Sequence, residues 1–193
     1  HFAAAALVLT IQTPAISHIF SMKVHSTQDT LVLKSLEWLK EYDEKRSGVK
    51  DYSVIAPWHY GHLITYMTGI PNVANNFFGI PVHDRGIAEG IRFFFTLDRD
   101  EVKEIINNRK IRYIFMTPTP KEILKTYFGI AGLDEDNYYT EKGELKVEYT
   151  QTMEYQLGVF NGSKIPFVKL IYEDRSIDES GKTSAHVKIF EIR

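Results

Sequence analysis

The chain has 193 residues, 44% of them hydrophobic and 25% charged, with 23 Lys and Arg against 25 Asp and Glu, a net charge of −2 and no cysteine. That length builds one substantial core. The charge balance, with no Lys/Arg run longer than two residues, argues against a nucleic-acid groove or an anionic membrane face, and the missing cysteine excludes disulfides, zinc-thiolate sites and a Cys nucleophile.

From Phe2 to Phe20 the chain carries no Asp, Glu, Lys or Arg, and it is apolar from Phe2 to Ile11 until Pro14 breaks the pattern. A spanning helix needs about 20 apolar residues, so this stretch is too short to cross a bilayer alone. It also lacks the basic start and cleavage pattern of a signal peptide. Two readings stand: residues 1–22 are the end of a membrane-proximal segment or a linker, or they form a buried terminal helix.

The next element is a helix capped by Ser26 or Thr27, with Asp29 in its first turn and Val32, Leu36 and Leu39 at helical spacing. Leu31, Trp38 and Tyr42 widen its apolar stripe, while Lys34, Glu37, Lys40 and Glu41 take the wet face until Ser47-Gly48 stops it. A buried strand follows at Tyr52–Ala56, then Pro57-Trp58-His59-Tyr60-Gly61-His62, then an amphipathic segment from Leu63. A strand end followed by a loop of recognition-type side chains is where function is commonly placed.

Gly79 to Gly86 reads as a loop and Ile87 to Phe95 as an apolar helix. Asp98 caps the next helix, with Glu101 completing a capping box and Val102, Ile105 and Ile106 forming its stripe. Ile111–Met116 is a strand by its aromatic and β-branched content. Thr119-Pro120-Lys121-Glu122 starts a helix with an N-cap Thr, a Pro in the first turn and a capping-box Glu. Ile123, Tyr127 and Ile130 continue it to Gly132. Leu133 to Lys146 reads as a polar surface excursion, and Met153, Leu157 and Phe160 mark a further helix. Ile165–Tyr172 and His186–Ile192 are two strands closed into a hairpin by the loop Glu173–Ser184. The whole is a single mixed α/β domain over residues 23–193, with interleaved helices and strands and a C-terminal β-hairpin.

Common chemical fingerprints are missing. No P-loop, Gly-x-Gly-x-x-Gly or Gly-x-Ser-x-Gly occurs. His59 and His62, with His83-Asp84, give only the outline of a three-ligand zinc site, and no native metal site is assigned.

Blocks of the chain resemble the soluble C-terminal domain of the catalytic subunit of oligosaccharyltransferase, the membrane enzyme that moves a lipid-linked glycan onto Asn in Asn-x-Ser/Thr. In that family a helix ending in Trp-Leu leads to a strand and the motif Trp-Trp-Asp-Tyr-Gly. Here Leu36-Glu-Trp-Leu39 is followed by Val54-Ile55-Ala56 and Pro57-Trp58-His59-Tyr60-Gly61, matching three of the five motif positions. Gly69 to Asn76, Ile111-Arg-Tyr-Ile114, Met153 to Gly162, Phe167 to Glu173 and Val187 to Glu191 are similar to later blocks, in the same order.

The resemblance implies an extracytoplasmic acceptor-recognition domain of a membrane-anchored glycosyltransferase. Its acceptor peptide is of Asn-x-Ser/Thr type, and its lipid-linked oligosaccharide is held by the membrane part. The catalytic acids and a Mg or Mn ion belong to that part too, so no residue here is read as catalytic. Trp58, His59, Tyr60, Gly61 and Lys121 are the substrate-binding candidates, with His59 in place of the family's hydroxyl-binding Asp and Pro57 in place of a Trp. The family pairs an Asp with a Lys on the helix after the Ile111–Met116 strand. Lys121 and Lys125 are present here, but Thr117 to Pro120 offers no Asp. The alternative is a non-catalytic extracytoplasmic binding or assembly module that kept the fold and lost the sequon pocket; a soluble zinc-binding protein is a third reading.

Overall fold

The computed structural model describes residues 27–46, 50–74, 81–178, 180–181 and 183–193, with backbone alone at 81–84 and 184. Segment 1–22 and Ser26 lie outside the described residues. Among the described residues no helix is long and apolar enough to cross a membrane.

The fold is mixed α/β, as expected. In chain order the elements are α1 (Thr27–Glu44), β1 (Ser53–Ile55), α2 (Gly61–Thr68), α3 (Pro81–Phe95), α4 (Arg99–Asn108), β2 (Ile111–Met116), α5 (Leu124–Ala131), α6 (Met153–Phe160), β3 (Val168–Ile177) and β4 (Thr183–Ile192). The strands form one sheet in the order β1-β2-β4-β3. β1 and β2 are parallel, while β4 runs antiparallel to both β2 and β3.

Alternation along the strands sends successive side chains to opposite faces. Val54, Tyr113, Phe115, Val187 and Ile189 face α1 and α2, burying Leu31, Val32, Leu36, Leu39 and Ile64. Ile55, Ile114, Met116 and Phe190 face the layer of α3 to α6. The stripe expected on α1 is the buried one, and Lys34, Glu37, Lys40 and Glu41 are exposed. Asp43, 1% exposed on the same helix, accepts the Tyr52 hydroxyl at 2.6 Å, the Tyr113 hydroxyl at 2.9 Å and the Lys50 ammonium at 3.1 Å. On the other side of the sheet the buried Lys188 donates to the Gly158 carbonyl and to Asn161 Oδ1 at the end of α6.

Several elements differ from their expected form. α3 begins at Pro81, within the stretch read as a loop. Proline is tolerated in a first helical turn, where its missing N–H has no intrahelical acceptor. Gly86 sits inside the helix because a Cβ there would lie 2.4 Å from the Val73 carbonyl oxygen. Asp98 does cap α4, accepting from Asp100 and Glu101 N–H at 2.9 and 3.3 Å. Glu101 closes no capping box, because its carboxylate is taken by Arg92 and by the Thr96 hydroxyl at 2.7 Å.

Thr119 caps nothing. Pro120 is extended at φ −60° and ψ 135°, a short 3₁₀ turn spans Lys121–Ile123, and α5 starts only at Leu124. α5 then runs to Ala131 with Gly132 as its C-cap, and Ile130 on it is 39% exposed. The 133–146 excursion is anchored by Tyr138, whose buried ring stacks on Phe128 at 4.3 Å and whose hydroxyl donates to the Phe95 carbonyl at 2.9 Å. The hairpin is longer than expected, because strand pairing continues through Glu173↔Lys188 and Arg175↔His186. Cross-strand polar pairs such as His186 Nε2 with Glu173 Oε1 at 2.9 Å supply what apolar alternation does not.

Candidate functional site

Parallel pairing sets the ends of β1 and β2 side by side, with Ile55 opposite Ile114. Ligands of α/β sheets bind beyond the carboxyl ends of parallel strands, where neighbouring loops diverge. Here the diverging loops are Pro57–Tyr60, after β1, and Thr117–Pro120, after β2. β4 is antiparallel to β2, so its first residues, Thr183 to His186, come to the same end. These segments, with Ile123 just before α5 and Thr126, Tyr127 and Ile130 on it, enclose a groove of about 940 Å³.

Pro57, at φ −52° and ψ 126°, leads into a 3₁₀ turn over Trp58–Tyr60. Trp58 is half-buried; its indole interacts with the Tyr127 hydroxyl, and its ring meets His59 edge-on at 5.8 Å. Tyr60 lies 4.2 Å from the His59 ring and rests edge-on against Phe115 at 5.9 Å. Burial pushes the Tyr60 and Tyr127 phenols above their ordinary range, so both remain hydroxyls. His59 is exposed at the groove mouth, yet the protein around its ring desolvates it and pushes the imidazole pKa down. At neutral pH it therefore presents one ring N–H donor and one ring nitrogen acceptor.

The structure brings Trp58, His59 and Tyr60 together and separates the other two candidates. Gly61 is buried as the first residue of α2, in ordinary helical conformation, and stands behind the groove. Lys121 is exposed and lines a neighbouring pocket of about 600 Å³ with Lys146, Tyr149, Thr150 and Glu154, with Thr119 as the shared wall. His62 is exposed and does not line the groove. The His83 and Asp84 side chains of the zinc outline lie outside the described residues. Among the described residues no group of three or more His, Asp or Glu is placed to hold a metal.

Glu154 was not singled out from the sequence. It stands in the first turn of α6, where its carboxylate accepts the Tyr149 hydroxyl at 2.8 Å and the Thr119 backbone N–H. It borders a small apolar cavity beneath Pro57 and Trp58, and burial pushes its carboxyl above the ordinary range. Gln28 and His186 were missed as well, and 158 residues of sequence separate them. The readable signal for this half of the groove was Thr117-Pro-Thr-Pro120, two prolines directly after a strand.

Comparison with known proteins adds the following. Residues 33–121 match the AglB-core-like family model, described as the AglB core domain. The chain is 30% identical over 173 residues to dolichyl-phosphooligosaccharide-protein glycotransferase 2 of Archaeoglobus fulgidus, a match covering 83% of this chain and 26% of that protein. It thus spans about a quarter of the length of the curated relatives it matches, glycotransferase 1 of the same organism included. Among solved structures it is similar to the C-terminal globular domain of the A. fulgidus oligosaccharyltransferase AfAglB-S2, with TM-score 0.61, 27% identity and coverage of 83% of this chain and 95% of that one. An A. fulgidus oligosaccharyltransferase solved tethered to an acceptor peptide containing the NVT sequon shares the fold, with TM-score 0.53, 18% identity and coverage of 76% and 24%.

Proposed function

The chain belongs to the family of the C-terminal globular domain of AglB-type oligosaccharyltransferases, and from that premise we propose that it is the extracytoplasmic acceptor-recognition domain of a membrane glycosyltransferase for protein N-glycosylation. The observation that carries this reading is the gathering of Trp58, His59 and Tyr60 in one groove at the ends of the two parallel strands. An acceptor segment of Asn-x-Ser/Thr type lies in that groove with Trp58 as its wall. The neutral His59 imidazole meets the Ser or Thr hydroxyl. Lys121, in the neighbouring pocket, meets the acceptor beyond Thr119, and Gly61 shapes the turn that presents Trp58 and His59. The lipid-linked oligosaccharide and the Mg or Mn ion are held by other parts of such an enzyme, so this chain alone is expected to transfer no sugar.

One neutral hydrogen bond contributes about 0.5–1.5 kcal/mol, so the contribution of His59 is read from acceptor use by the complete enzyme. His59→Ala should lower use of a Thr-containing acceptor peptide, and His59→Asp should retain or raise it. Adding Pro57→Trp to His59→Asp should raise use further. Equal acceptor use by the parent and His59→Ala would overturn the reading. It would favour a non-catalytic binding or assembly module instead, for which the observation is that Lys121 faces a different pocket from His59.

A further inference from the structure

The groove lies where β2 would continue alongside β4. The two strands pair from Tyr113↔Glu191 to Met116↔Lys188 and stop there, while β4 runs on, paired with β3, back to Thr183. Continuing the register would set Pro118 opposite His186, just before the irregularity at Ser184 of β4. His186 and Lys188 are two residues apart, so their backbone N–H and C=O groups point to the same side, the side of β2. Pro118 thus occupies the position that would owe an N–H to His186, and proline has none. The chain is prevented from zipping its own strand into this slot.

A substitute stands in the slot. The Gln28 carboxamide accepts from the His186 N–H at 3.1 Å and donates to the His186 carbonyl at 3.2 Å. That two-bond exchange is the pattern of one residue of a neighbouring antiparallel strand. We propose that the groove takes an extended polypeptide as an added strand on the edge of β4, displacing Gln28 from His186. The proposal rests on the acceptor-peptide reading above and deepens it. Main-chain bonds to β4 hold the segment in register, and Trp58, His59 and Tyr60 read its side chains. This division of labour is the one by which exposed sheet edges bind peptides.

The test uses the isotopically labelled chain, an Asn-x-Thr peptide, and a series of the same peptide N-methylated at one amide at a time. Methylation of alternate amides should weaken binding, by about tenfold for each main-chain bond lost, while the amides between tolerate it. In Gln28→Ala the His186 amide should exchange faster in the free protein and regain protection with peptide. Because the peptide no longer competes with Gln28, binding there should tighten by about threefold or more. Binding that is indifferent to the position of methylation overturns the added strand and leaves the acceptor groove standing. A peptide that perturbs no groove resonance overturns both. Changes that depend on protein concentration without peptide assign the edge to a second copy of the chain and overturn this proposal. The methylation series needs no variant, so a poorly folding Gln28→Ala does not blunt it.

Discussion

The Tyr113 hydroxyl donates to the Asp43 carboxylate at 2.9 Å, joining a central strand to the helix that covers it across 70 residues of sequence. Together with Tyr52 and Lys50 it holds the Asp43 carboxyl below its ordinary value, against the upward push of burial. A depressed folded pKa contributes stability that is present above the unfolded value, near 3.9, and is lost as pH falls through the folded one. Asp43→Ala should cost about 2–3 kcal/mol at pH 7, since it leaves the Tyr52 and Tyr113 hydroxyls without their acceptor. In urea melts at pH 7 and pH 3, Asp43→Asn should lose less stability on acidification than the parent. An equal loss in both would show that Asp43 does not carry the acid sensitivity.

At alkaline pH the tyrosines set the limit. Burial, the hydrogen bond to Asp43 and its charge push Tyr52 up to about 12, and burial beside Asp174 does the same to Tyr172. Raised folded values contribute stability that is complete below the unfolded pKa, near 10, and is lost as pH rises from there through about 12. Phenolate absorbance should therefore show a late-ionising fraction that appears together with unfolding. Tyr52→Phe should shrink it, and an unchanged late fraction would place the effect elsewhere.

Glu154 behaves in the opposite sense to Asp43, because its folded pKa is raised by burial. Its contribution is greatest below the unfolded value, near 4.3, and is lost as pH rises through the folded pKa. Glu154→Gln removes the buried charge and keeps one amide oxygen as an acceptor for Tyr149 or the Thr119 N–H. Relative to the parent it should gain stability between pH 4 and pH 7. A variant that instead falls behind as pH rises would mean that the ionised carboxylate is the favoured form.

Two glycines in helices should answer oppositely to alanine. Gly129 on α5 is exposed, with nothing within 4 Å of an added Cβ; Gly129→Ala should stabilise by about 0.5–1 kcal/mol through helix propensity and reduced chain entropy. Gly86→Ala drives its Cβ to 2.4 Å from the Val73 carbonyl oxygen and should destabilise by about 1–3 kcal/mol. Denaturant midpoints of the two variants decide it: a stable Gly86→Ala would mean that α3 and the 70–74 segment separate easily.

What the sequence disclosed follows from periodicity. Val32, Leu36 and Leu39, and Ile111 to Met116, repeat at helical or strand spacing with long apolar side chains, and their elements match. Elements governed by a single close approach or by pairing were hidden. Gly86 looks like a turn residue until Val73 is seen against it. The polar ends of β3 and β4 carry charges whose partners lie across the hairpin, as Glu173–His186, or on other elements, as Asp174 with Lys34. At the site, Trp58 to Tyr60 form one contiguous stretch, so they were legible. Tyr127, Gln28 and His186 reach the groove from three separate elements, with Glu154 beside it from a fourth, and no local pattern announces that convergence. Lys121 was placed by family position, yet Pro120 and the 3₁₀ turn after it swing the side chain into the next pocket.

Lys188 ties the sheet to α6 in a way that salt screens weakly. Its buried ammonium is met by the carbonyl and amide oxygens at the end of α6 rather than by a carboxylate, and desolvation lowers its pKa. Exposed ion pairs such as Lys34–Asp174 fade as ionic strength rises, because counter-ions screen exposed charges beyond about 10 Å at 0.1 M salt and over less at higher concentration. A buried cation seated on fixed dipoles at a helix C-terminus is screened far less. The seating of α6 on Lys188 should therefore depend less on ionic strength than the exposed pairs do.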